Sequence, residues 1–318
     1  MKRIAVLTSG GDSPGMNAAI RAVARTCIFN SKECMGVMRG YEGLIDGDYI
    51  PLERAATGGI IHRGGTILKT ARSERFKTEE GRKQAVVKME EAGVEGLVVI
   101  GGDGSFRGAK ELHEMGVPVI GIPGTIDNDV AGTDETIGFD TAVNTALEAV
   151  MRLRDTASSH DRLFIVEVMG RNAGFLPLEV AVATGAEYVV VPELPLSIGD
   201  LCKKLRASQE HKKSHTLIIL AEGVMTANEM KDKLYDTGGY DARVTVLGHI
   251  QRGGSPTSFD AVLASRMGAY AAESLFIGKS GVMVGNVNHR IMLSDLERAW
   301  FENKRLSPEL LNLVEKLN

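Results

Sequence analysis

Two short acidic turns carry residue types that could handle phosphate and magnesium. The first, Gly101-Gly102-Asp103-Gly104-Ser105, follows an apolar run and precedes a helical stretch. Glycines let backbone N–H groups approach a phosphate, the N-terminus of the helix adds partial positive charge, and a carboxylate suits Mg²⁺. The alternative is a plain strand-to-helix turn in which Asp103 is the N-cap residue.

The second turn, Pro123-Gly124-Thr125-Ile126-Asp127-Asn128-Asp129, places two carboxylates two residues apart. One carboxylate could accept a proton from a substrate hydroxyl while the other lies near a metal. The alternative is a turn that Asp and Asn stabilise through their own side chains.

Further glycine-rich turns combine with arginine. Gly10-Gly11-Asp12-Ser13-Pro14-Gly15 precedes a helix predicted from Asn17, and its spacing fits neither GxGxxG nor GxxxxGK[ST]. A nicotinamide dehydrogenase or a Walker-type nucleotidase is therefore disfavoured, although a plain loop remains possible. Arginine also neighbours glycine in three turns, where its fork could bind phosphate in a bidentate manner: His62–Thr66, Met169–Arg171 and His249–Gly254.

The elements that must position these turns alternate in type. Near-continuous apolar runs read as strands buried on both faces; they cover Ile4–Leu7, Gly96–Ile100, Val117–Ile122, Leu163–Val168 and Leu217–Ala221. Helices are predicted between them, for example after the capping residue Thr78 and along the apolar stripe that begins at Phe139. The alternation predicts an α/β fold with mostly parallel sheets, in which ligands lie beyond the carboxyl ends of strands.

Composition excludes several classes. A length of 318 residues favours two domains, and a net charge of −4 gives no global reason to bind nucleic acid or an anionic membrane. Three scattered cysteines favour a reducing cytoplasm over a disulfide framework, and no run approaches 18 apolar residues. Arg21 and Arg25 lie on one face of the first helix and could form a second anion site or a solvated basic surface. Further basic residues that could take part are Arg54, Arg154, His211, Lys212, Lys213 and His215.

Taken together, the motifs resemble those of the 6-phosphofructokinase family, in its short ATP-dependent bacterial type. The matching segments occur in the same order and spacing across about residues 1 to 290; they are Thr8–Asp12, Gly101–Ser105, Pro123–Asp129, Met169–Arg171 and Gly248–Gly254. Gly-Gly-Asp-Gly alone also occurs in lipid and nicotinamide-nucleotide kinases, so only the whole set is specific.

The resemblance implies two mostly parallel, Rossmann-like three-layer α/β/α domains. One comprises residues 1-138 and 251-301 and binds ATP; the other comprises 139-250 and 302-318 and binds fructose 6-phosphate. ATP with Mg²⁺ would be held by Gly11, Arg72, Ser73, Gly102, Asp103, Gly104 and Ser105, with Asp103 facing the metal. Ser73 replaces a cysteine usual in the family.

The same resemblance implies the catalytic and substrate residues. Asp127 would take the proton from the sugar 1-hydroxyl, Thr125 and Asp129 would flank the moving phosphoryl group, and Arg171 would stabilise its charge. Besides Thr125, Asp127 and Arg171, fructose 6-phosphate would be held by Met169, Gly170, Glu222, His249 and Arg252. Arg162 and Arg243 would reach it from a neighbouring subunit of a homotetramer.

An effector site for ADP or phosphoenolpyruvate is also implied, at Arg21, Arg25, Arg54, Arg154, Gly185, Glu187, His211, Lys213 and His215. Gly59 stands where the family usually has Asp, and His211 where Lys or Arg is usual. Phe175-Leu176-Pro177 replaces an Asp-containing stretch beside the arginine turn.

Donor choice follows from two glycines. Pyrophosphate-using relatives carry a bulkier charged residue where this chain has Gly104 and Gly124, so ATP is expected. The competing hypotheses are a pyrophosphate-dependent or other sugar-phosphate kinase, a nicotinamide dehydrogenase, and a non-catalytic nucleotide-binding regulatory protein.

Overall fold

The computed structural model describes residues 1–158, 163–210 and 216–317, without the side chains of 156–158 and 209–210. The chain divides into two compact units. Unit 1 comprises Met1–Thr141 and Arg252–Lys304, and unit 2 comprises Ala142–Gln251 and Arg305–Asn318. No helix within the described ranges is long and apolar enough to cross a membrane.

The strands and helices alternate along most of the chain. The strands are β1 (Arg3–Thr8), β2 (Glu33–Val37), β3 (Tyr49–Pro51), β4 (Leu97–Gly101), β5 (Val119–Pro123), β6 (Leu163–Val168), β7 (Tyr188–Val190), β8 (Thr216–Ala221), β9 (Ala242–Val246), β10 (Val282–Val287) and β11 (Arg290–Asp295). The helices are α1 (Met16–Phe29), α2 (Gly40–Asp46), α3 (Glu79–Glu91), α4 (Asp103–Glu114), α5 (Phe139–Ser158), α6 (Phe175–Thr184), α7 (Ile198–Glu210), α8 (Ala227–Gly238), α9 (Ser258–Phe276), α10 (Arg298–Phe301) and α11 (Pro308–Leu317). Short 3-10 helices cover Arg75–Lys77 and Gly248–Arg252.

Unit 1 is built on a seven-stranded sheet with the order β11-β10-β5-β4-β1-β2-β3. The five inner strands are parallel, and only β3 and β11 pair antiparallel at the two edges. Side chains alternate between the faces, so Val98 and Ile100 of β4 join one core cluster and Leu97 and Val99 join the other. Helices α1 and α9 cover the first face, and α2, α3 and α4 cover the second. The sheet is therefore buried on both sides, as its continuous apolar strands predict.

Unit 2 contains a four-stranded parallel sheet with the order β7-β8-β6-β9. Helices α7 and α8 pack on the face that carries Ile218 and Leu220. Helix α6 packs against β7 and β8, and α11 packs against α6. The predicted α/β class with two mostly parallel sheets is confirmed.

The carboxylate of Asp260 joins two helix N-termini within unit 1. It accepts hydrogen bonds from the Gly138 and Thr141 backbone N–H groups at 2.9 and 2.8 Å, and from the Thr141 hydroxyl at 2.5 Å. Thr257 caps α9 by accepting the Asp260 N–H. Burial raises the pKa of the Asp260 carboxyl to about 6, although these hydrogen bonds act in the opposite direction. Asp260 thereby fixes the start of α5 against the start of α9.

Replacing Asp260 by asparagine is expected to lower the free energy of unfolding by about 1–3 kcal/mol, because one buried N–H loses its acceptor. The folded state binds the Asp260 proton more tightly than the unfolded state does. The wild type should therefore lose stability relative to the variant as the pH rises from about 4 to about 6. Urea unfolding at several pH values measures both effects, with the exposed Asp232→Asn on α8 as the control. A pH-independent difference would contradict the raised pKa.

Candidate active site

Three glycine-rich turns follow the carboxyl ends of neighbouring strands in the unit 1 sheet. Strands β1, β4 and β5 are adjacent and parallel, and their last residues are in register, with Thr8 beside Ile100 and Gly101 beside Pro123. Two backbone hydrogen bonds extend this pairing into the turns: Ser9 N–H to Ile100 O at 2.9 Å, and Gly124 N–H to Gly101 O at 3.0 Å. The turns that begin at Ser9, Gly102 and Gly124 consequently lie side by side.

The turn after β4 presents the N-terminus of α4. The helix begins at Asp103 itself, and the N-cap residue is Gly102, whose backbone is extended. Asp103 is therefore the first helical residue rather than the cap, which differs from the plain-turn alternative. Ser105 is buried, and a Cβ atom on Gly101 would overlap the Ser105 hydroxyl and the Ser9 carbonyl. Because α4 has no side-chain cap, its N-terminal backbone groups suit an anion.

Asp103 is half-buried and has the hard oxygen ligands that Mg²⁺ prefers. Among the described residues no group of three or more His, Cys, Asp and Glu side chains could hold a metal by itself. Mg²⁺ is usually bound by one or two carboxylates together with substrate phosphates and waters. The donor set at Asp103 thus fits a magnesium ion that arrives with a nucleotide.

The turn after β5 buries the Asp127 carboxyl, which is 3% exposed. The Thr125 hydroxyl accepts the Asp127 backbone N–H at 3.2 Å and lies 3.4 Å from the Asp127 Oδ2 atom, to which it donates. Asn128 has a left-handed backbone with φ of 51°, which turns the chain sharply between Asp127 and the half-buried Asp129. A Cβ atom on Gly102 would lie 3.9 Å from the Thr125 Cβ, so the two acidic turns are neighbours.

The two donor-size glycines differ in their surroundings. Apart from its own helical turn, a Cβ atom on Gly104 would meet none of the described residues within 4 Å, so this position opens to space. A Cβ atom on Gly124 would instead lie 3.0 Å from Ile100 and 3.3 Å from Met16, both of which belong to the core. An added side chain at Gly104 would therefore enter open space, whereas one at Gly124 would press on Ile100 and Met16.

Gly11 and Arg252 are in direct contact within unit 1. A Cβ atom on Gly11 would overlap the Arg252 guanidinium, so glycine is required for this approach. The Arg252 Nε atom is buried and has no hydrogen-bond partner among the described residues. Arg72 is exposed, while the Ser73 hydroxyl donates to Glu42 at 2.5 Å and caps the Phe76 N–H.

In unit 2 the predicted substrate residues Met169, Gly170, Arg171 and Glu222 follow the carboxyl ends of β6 and β8, where Val168 pairs with Ala221. The Arg171 backbone N–H donates to Glu222 Oε1 at 3.0 Å, and the Arg171 side chain is exposed. Gly170 has a φ of 144°, and a Cβ atom there would lie 2.6 Å from the Ala173 carbonyl. Met169 is buried, and exposed His249 lies in the 3-10 helix that follows β9.

Arg243, a predicted substrate residue, lies apart from this turn. Arg243 lies on β9 opposite Phe164, near the amino end of β6, and is paired with Asp241 at 3.8 Å. Unit 2 therefore does not bring Arg243 to the Met169–Arg171 turn of the same chain. Arg162 lies outside the described residues, as do the effector candidates His211, Lys213 and His215.

The remaining effector candidates form one group in each unit. In unit 1, Arg25 donates to the Thr57 hydroxyl at 3.0 Å and to the Arg54 carbonyl at 2.9 Å, and Arg21 lies one helical turn earlier on α1. In unit 2, the Arg154 guanidinium contacts the Thr184 and Gly185 carbonyls and pairs with Glu187 at 3.6 Å. Gly59 has a φ of 65°, a conformation that Asn and Asp tolerate better than most residues, and a Cβ atom there would meet none of the described residues within 4 Å.

The apolar stretch Phe175-Leu176-Pro177 forms the first turn of α6. Leu176 and Pro177 are buried, and Pro177 is tolerated because backbone N–H groups in a first helical turn have no partner within the helix. This departure from the family pattern therefore contributes to the packing of unit 2.

Sequence reasoning passed over one residue near the second acidic turn. The Lys304 ammonium donates to the Asn128 Oδ1 atom at 2.8 Å and to the Asp134 carbonyl at 2.7 Å. The segment around Lys304 carries no motif, and the partners are 176 and 170 positions away in sequence. Only a weak match to the family pattern extends this far, so no sequence signal identified it.

Comparison with known proteins agrees with this geometry. The sequence profile of the phosphofructokinase family matches residues 3–275. An ATP-dependent 6-phosphofructokinase of Halalkalibacterium halodurans is 52% identical over 318 residues, which cover 100% of both chains. Another, from Halothermothrix orenii, is 50% identical over 331 residues with the same full coverage.

Solved structures show the same fold. Phosphofructokinase of Pichia pastoris in the T-state superposes with a TM-score of 0.90 at 37% identity, over 94% of this chain and 35% of that longer chain. A pyrophosphate-dependent phosphofructokinase from Marinobacter aquaeolei reaches a TM-score of 0.84 at 21% identity, over 100% of this chain and 91% of that chain, which supports the fold alone. With the converging acidic turns and these full-length matches, the chain belongs to the phosphofructokinase family.

Proposed function

We propose that the chain transfers the γ-phosphoryl group of ATP to the 1-hydroxyl of fructose 6-phosphate, yielding ADP and fructose 1,6-bisphosphate. One observation carries this proposal: the Asp103 turn and the Asp127 turn follow the carboxyl ends of two neighbouring parallel strands, β4 and β5. A phosphate-binding helix N-terminus and a buried carboxylate are thereby placed side by side. The relatives named ATP-dependent 6-phosphofructokinase support the same donor and acceptor.

The reaction forms a bond between the sugar O1 and the γ-phosphorus while the bond to ADP breaks. Asp127 accepts the O1 proton, and Thr125 holds the Asp127 side chain through the hydrogen bond described above. Thr125, Asp129 and Arg171 are proposed to surround the moving group, whose charge is spread over its oxygens in a loose transition state. Positioning and electrostatic stabilisation then account for most of the rate.

ATP is proposed to bind at the α4 N-terminus, with Gly11, Arg72, Ser73 and the residues from Gly102 to Ser105 around it. Mg²⁺ would be held by Asp103 and would neutralise charge on the phosphates. The open space at Gly104 favours a nucleotide over pyrophosphate, because a donor as small as pyrophosphate does not need it.

Fructose 6-phosphate is proposed to bind Met169, Gly170, Arg171, Glu222, His249 and Arg252. The position of Arg243 at the other end of the unit 2 sheet supports its proposed use by a neighbouring subunit of a homotetramer. Arg162 is proposed to act with it. Assembly would then be required for a complete site.

An effector site is proposed from the two groups of effector candidates described above. Arg21, Arg25 and Arg54 in unit 1, and Arg154, Gly185 and Glu187 in unit 2, would bind ADP or phosphoenolpyruvate, with His211, Lys213 and His215. The hydrogen bond from Arg25 to the Arg54 carbonyl places these two residues together and supports a common task for them. The cytoplasmic location stays a prediction.

A coupled assay of fructose 1,6-bisphosphate formation tests the function. With fructose 6-phosphate and Mg²⁺, we expect product from ATP and little from pyrophosphate. Product from pyrophosphate alone would support the pyrophosphate-dependent hypothesis, and ATP binding without turnover would support the non-catalytic one. Added ADP and phosphoenolpyruvate test the effector site, and indifference of the rate to both would remove it.

Replacing Arg252 by alanine is expected to raise the KM for fructose 6-phosphate by about 10- to 100-fold, the usual loss for charge-assisted hydrogen bonds to a phosphate. The KM for ATP should change much less. Initial rates at varied concentrations of each substrate measure both constants. Exposed Arg266→Ala on α9 is the matched control. Because Arg252 packs on Gly11, a rise in the KM for ATP alone would assign Arg252 to the nucleotide site instead.

A further inference from the structure

Lys304 contacts the second acidic turn from the segment between α10 and α11. Its ammonium group donates hydrogen bonds to the side-chain oxygen of Asn128 at 2.8 Å and to the Asp134 carbonyl at 2.7 Å. These distances are typical of strong charge-assisted hydrogen bonds. Lys304 and both acceptors belong to unit 1.

Asn128 is the residue through which this contact reaches Asp127. Its Oδ1 atom also accepts the Thr136 N–H at 3.1 Å, and its amide donates to the Asp134 carbonyl at 3.2 Å. One side chain in a left-handed backbone conformation thus ties together both ends of the loop. Because Asn128 directly follows Asp127, its orientation fixes the backbone that carries the Asp127 carboxylate.

A second contact closes the same loop. The Thr136 hydroxyl donates to the Thr125 carbonyl at 2.6 Å, and the Thr125 hydroxyl in turn contacts Asp127. A continuous series of hydrogen bonds therefore links Lys304 through Asn128 and Thr136 to Thr125 and Asp127. Loss of the ammonium removes the donor at one end of this series.

Two influences on the pKa of the Lys304 ammonium act in opposite directions. Burial lowers the pKa of the ammonium to about 8, while the neighbouring carboxylates of Asp134, Glu135 and Asp129 act to raise it. Lys304 is half-buried, and even partial burial of an ammonium group costs free energy that burial of an apolar side chain does not. Methionine would fill this space at a lower cost in free energy. The presence of lysine is therefore explained by the hydrogen bonds to Asn128 and to the Asp134 carbonyl.

We propose that Lys304 is a positioning residue for phosphoryl transfer, acting through Asn128 and the Asp134 carbonyl to hold the Asp127 carboxylate in its reactive orientation. The proposal rests on the proposed role of Asp127 as the base. Lys304 itself contacts no substrate in this scheme. It therefore affects the geometry of the reacting groups rather than the affinity for either substrate.

Lys304→Met retains the length of the side chain and removes its donors. We expect kcat to fall by about 10- to 100-fold, the scale for a displacement of about 1 Å in a catalytic group. The KM values for ATP and fructose 6-phosphate should stay within about threefold, because ground-state binding is retained. Exposed Lys279→Met is the matched control. An unchanged kcat, or a loss confined to KM, would overturn the proposal.

A double-mutant cycle shows whether Lys304 acts through Asn128. Asn128→Gly keeps the left-handed backbone accessible and removes the acceptor. We expect Lys304→Met to lower kcat much less in the Asn128→Gly background than in the wild type, since the contact is already broken. Independent effects that multiply would show that Lys304 acts by another route.

Amide hydrogen exchange of the ligand-free protein separates this proposal from the proposed function. The Thr136 N–H, which donates to Asn128, should exchange at least about 10-fold faster in Lys304→Met than in the wild type. Unchanged exchange would overturn the positioning role. A wild type that forms no fructose 1,6-bisphosphate would instead overturn the function, and would leave the exchange result to decide on the contact.

Discussion

Replacing Asp127 by serine is expected to lower kcat by about 10²–10⁴-fold, the usual contribution of a general base. Serine cannot accept a proton at neutral pH, so the 1-hydroxyl would have to lose its proton without help. The KM values for ATP and fructose 6-phosphate should change little, because the α4 N-terminus and the unit 2 turns remain intact. Steady-state rates with both substrates varied give kcat and both KM values.

Exposed Asp236→Ser on α8 makes the same chemical change away from the site and should leave kcat unaltered. Asp127 is buried and its side chain contacts Thr125, so the variant must first be shown to unfold at the wild-type urea concentration. A correctly folded Asp127→Ser with near-normal turnover would remove Asp127 from the role of base and assign the proton to another group.

The central strands could be predicted from the sequence because a parallel strand buried on both faces needs an unbroken apolar run. The run Gly96–Ile100 predicts β4 to within one residue at each end, and Leu163–Val168 predicts β6 at both ends. The acidic turns follow as a consequence, since any turn after such a strand lies at the carboxyl edge of the sheet. The sequence therefore predicts that Asp103 and Asp127 lie at the carboxyl ends of their strands.

The helix boundaries and the sheet edges were less accessible. The segment Gly101–Ser105 is predicted to precede a helix, but helix α4 already begins within it at Asp103, because Gly102 adopts the extended cap conformation and the following residues are helical. Nothing in the sequence indicates that β10 and β11 would add a hairpin to one edge. Such pairings depend on contacts between distant segments rather than on local propensity.

Contacts between distant residues also explain why Lys304 was missed. A lysine in a segment without a motif gives no sign that its ammonium reaches Asn128. The direction of a glycine Cβ atom is equally hidden, because it depends on backbone angles and on the neighbours. Gly104 and Gly124 look equivalent in the sequence, and only the structure shows that one faces open space while the other faces Ile100 and Met16.

Replacing Gly104 by lysine is consequently expected to lower kcat/KM for ATP by about 10²–10³-fold, through a steric clash placed where the nucleotide binds. The fold should tolerate the change, because the new Cβ meets no atom of the described residues within 4 Å beyond its own helical turn, and the position lies in the first turn of α4. Gly124→Ala is expected to act differently: it crowds the core, so it should lower the free energy of unfolding by about 1–3 kcal/mol. Kinetics with ATP and urea unfolding distinguish the two outcomes.

Gly199→Lys on α7 is the matched control for Gly104→Lys, because Gly199 is also the second residue of a helix. Beyond its own helical turn, its Cβ would meet only the Ser197 hydroxyl among the described residues, at 4.0 Å. It should leave kcat/KM for ATP unchanged. If Gly104→Lys used ATP as well as the wild type does, the space beside Gly104 would not be the nucleotide site. The donor would then have to bind elsewhere along the sheet edge, and the preference for ATP over pyrophosphate would need another structural cause.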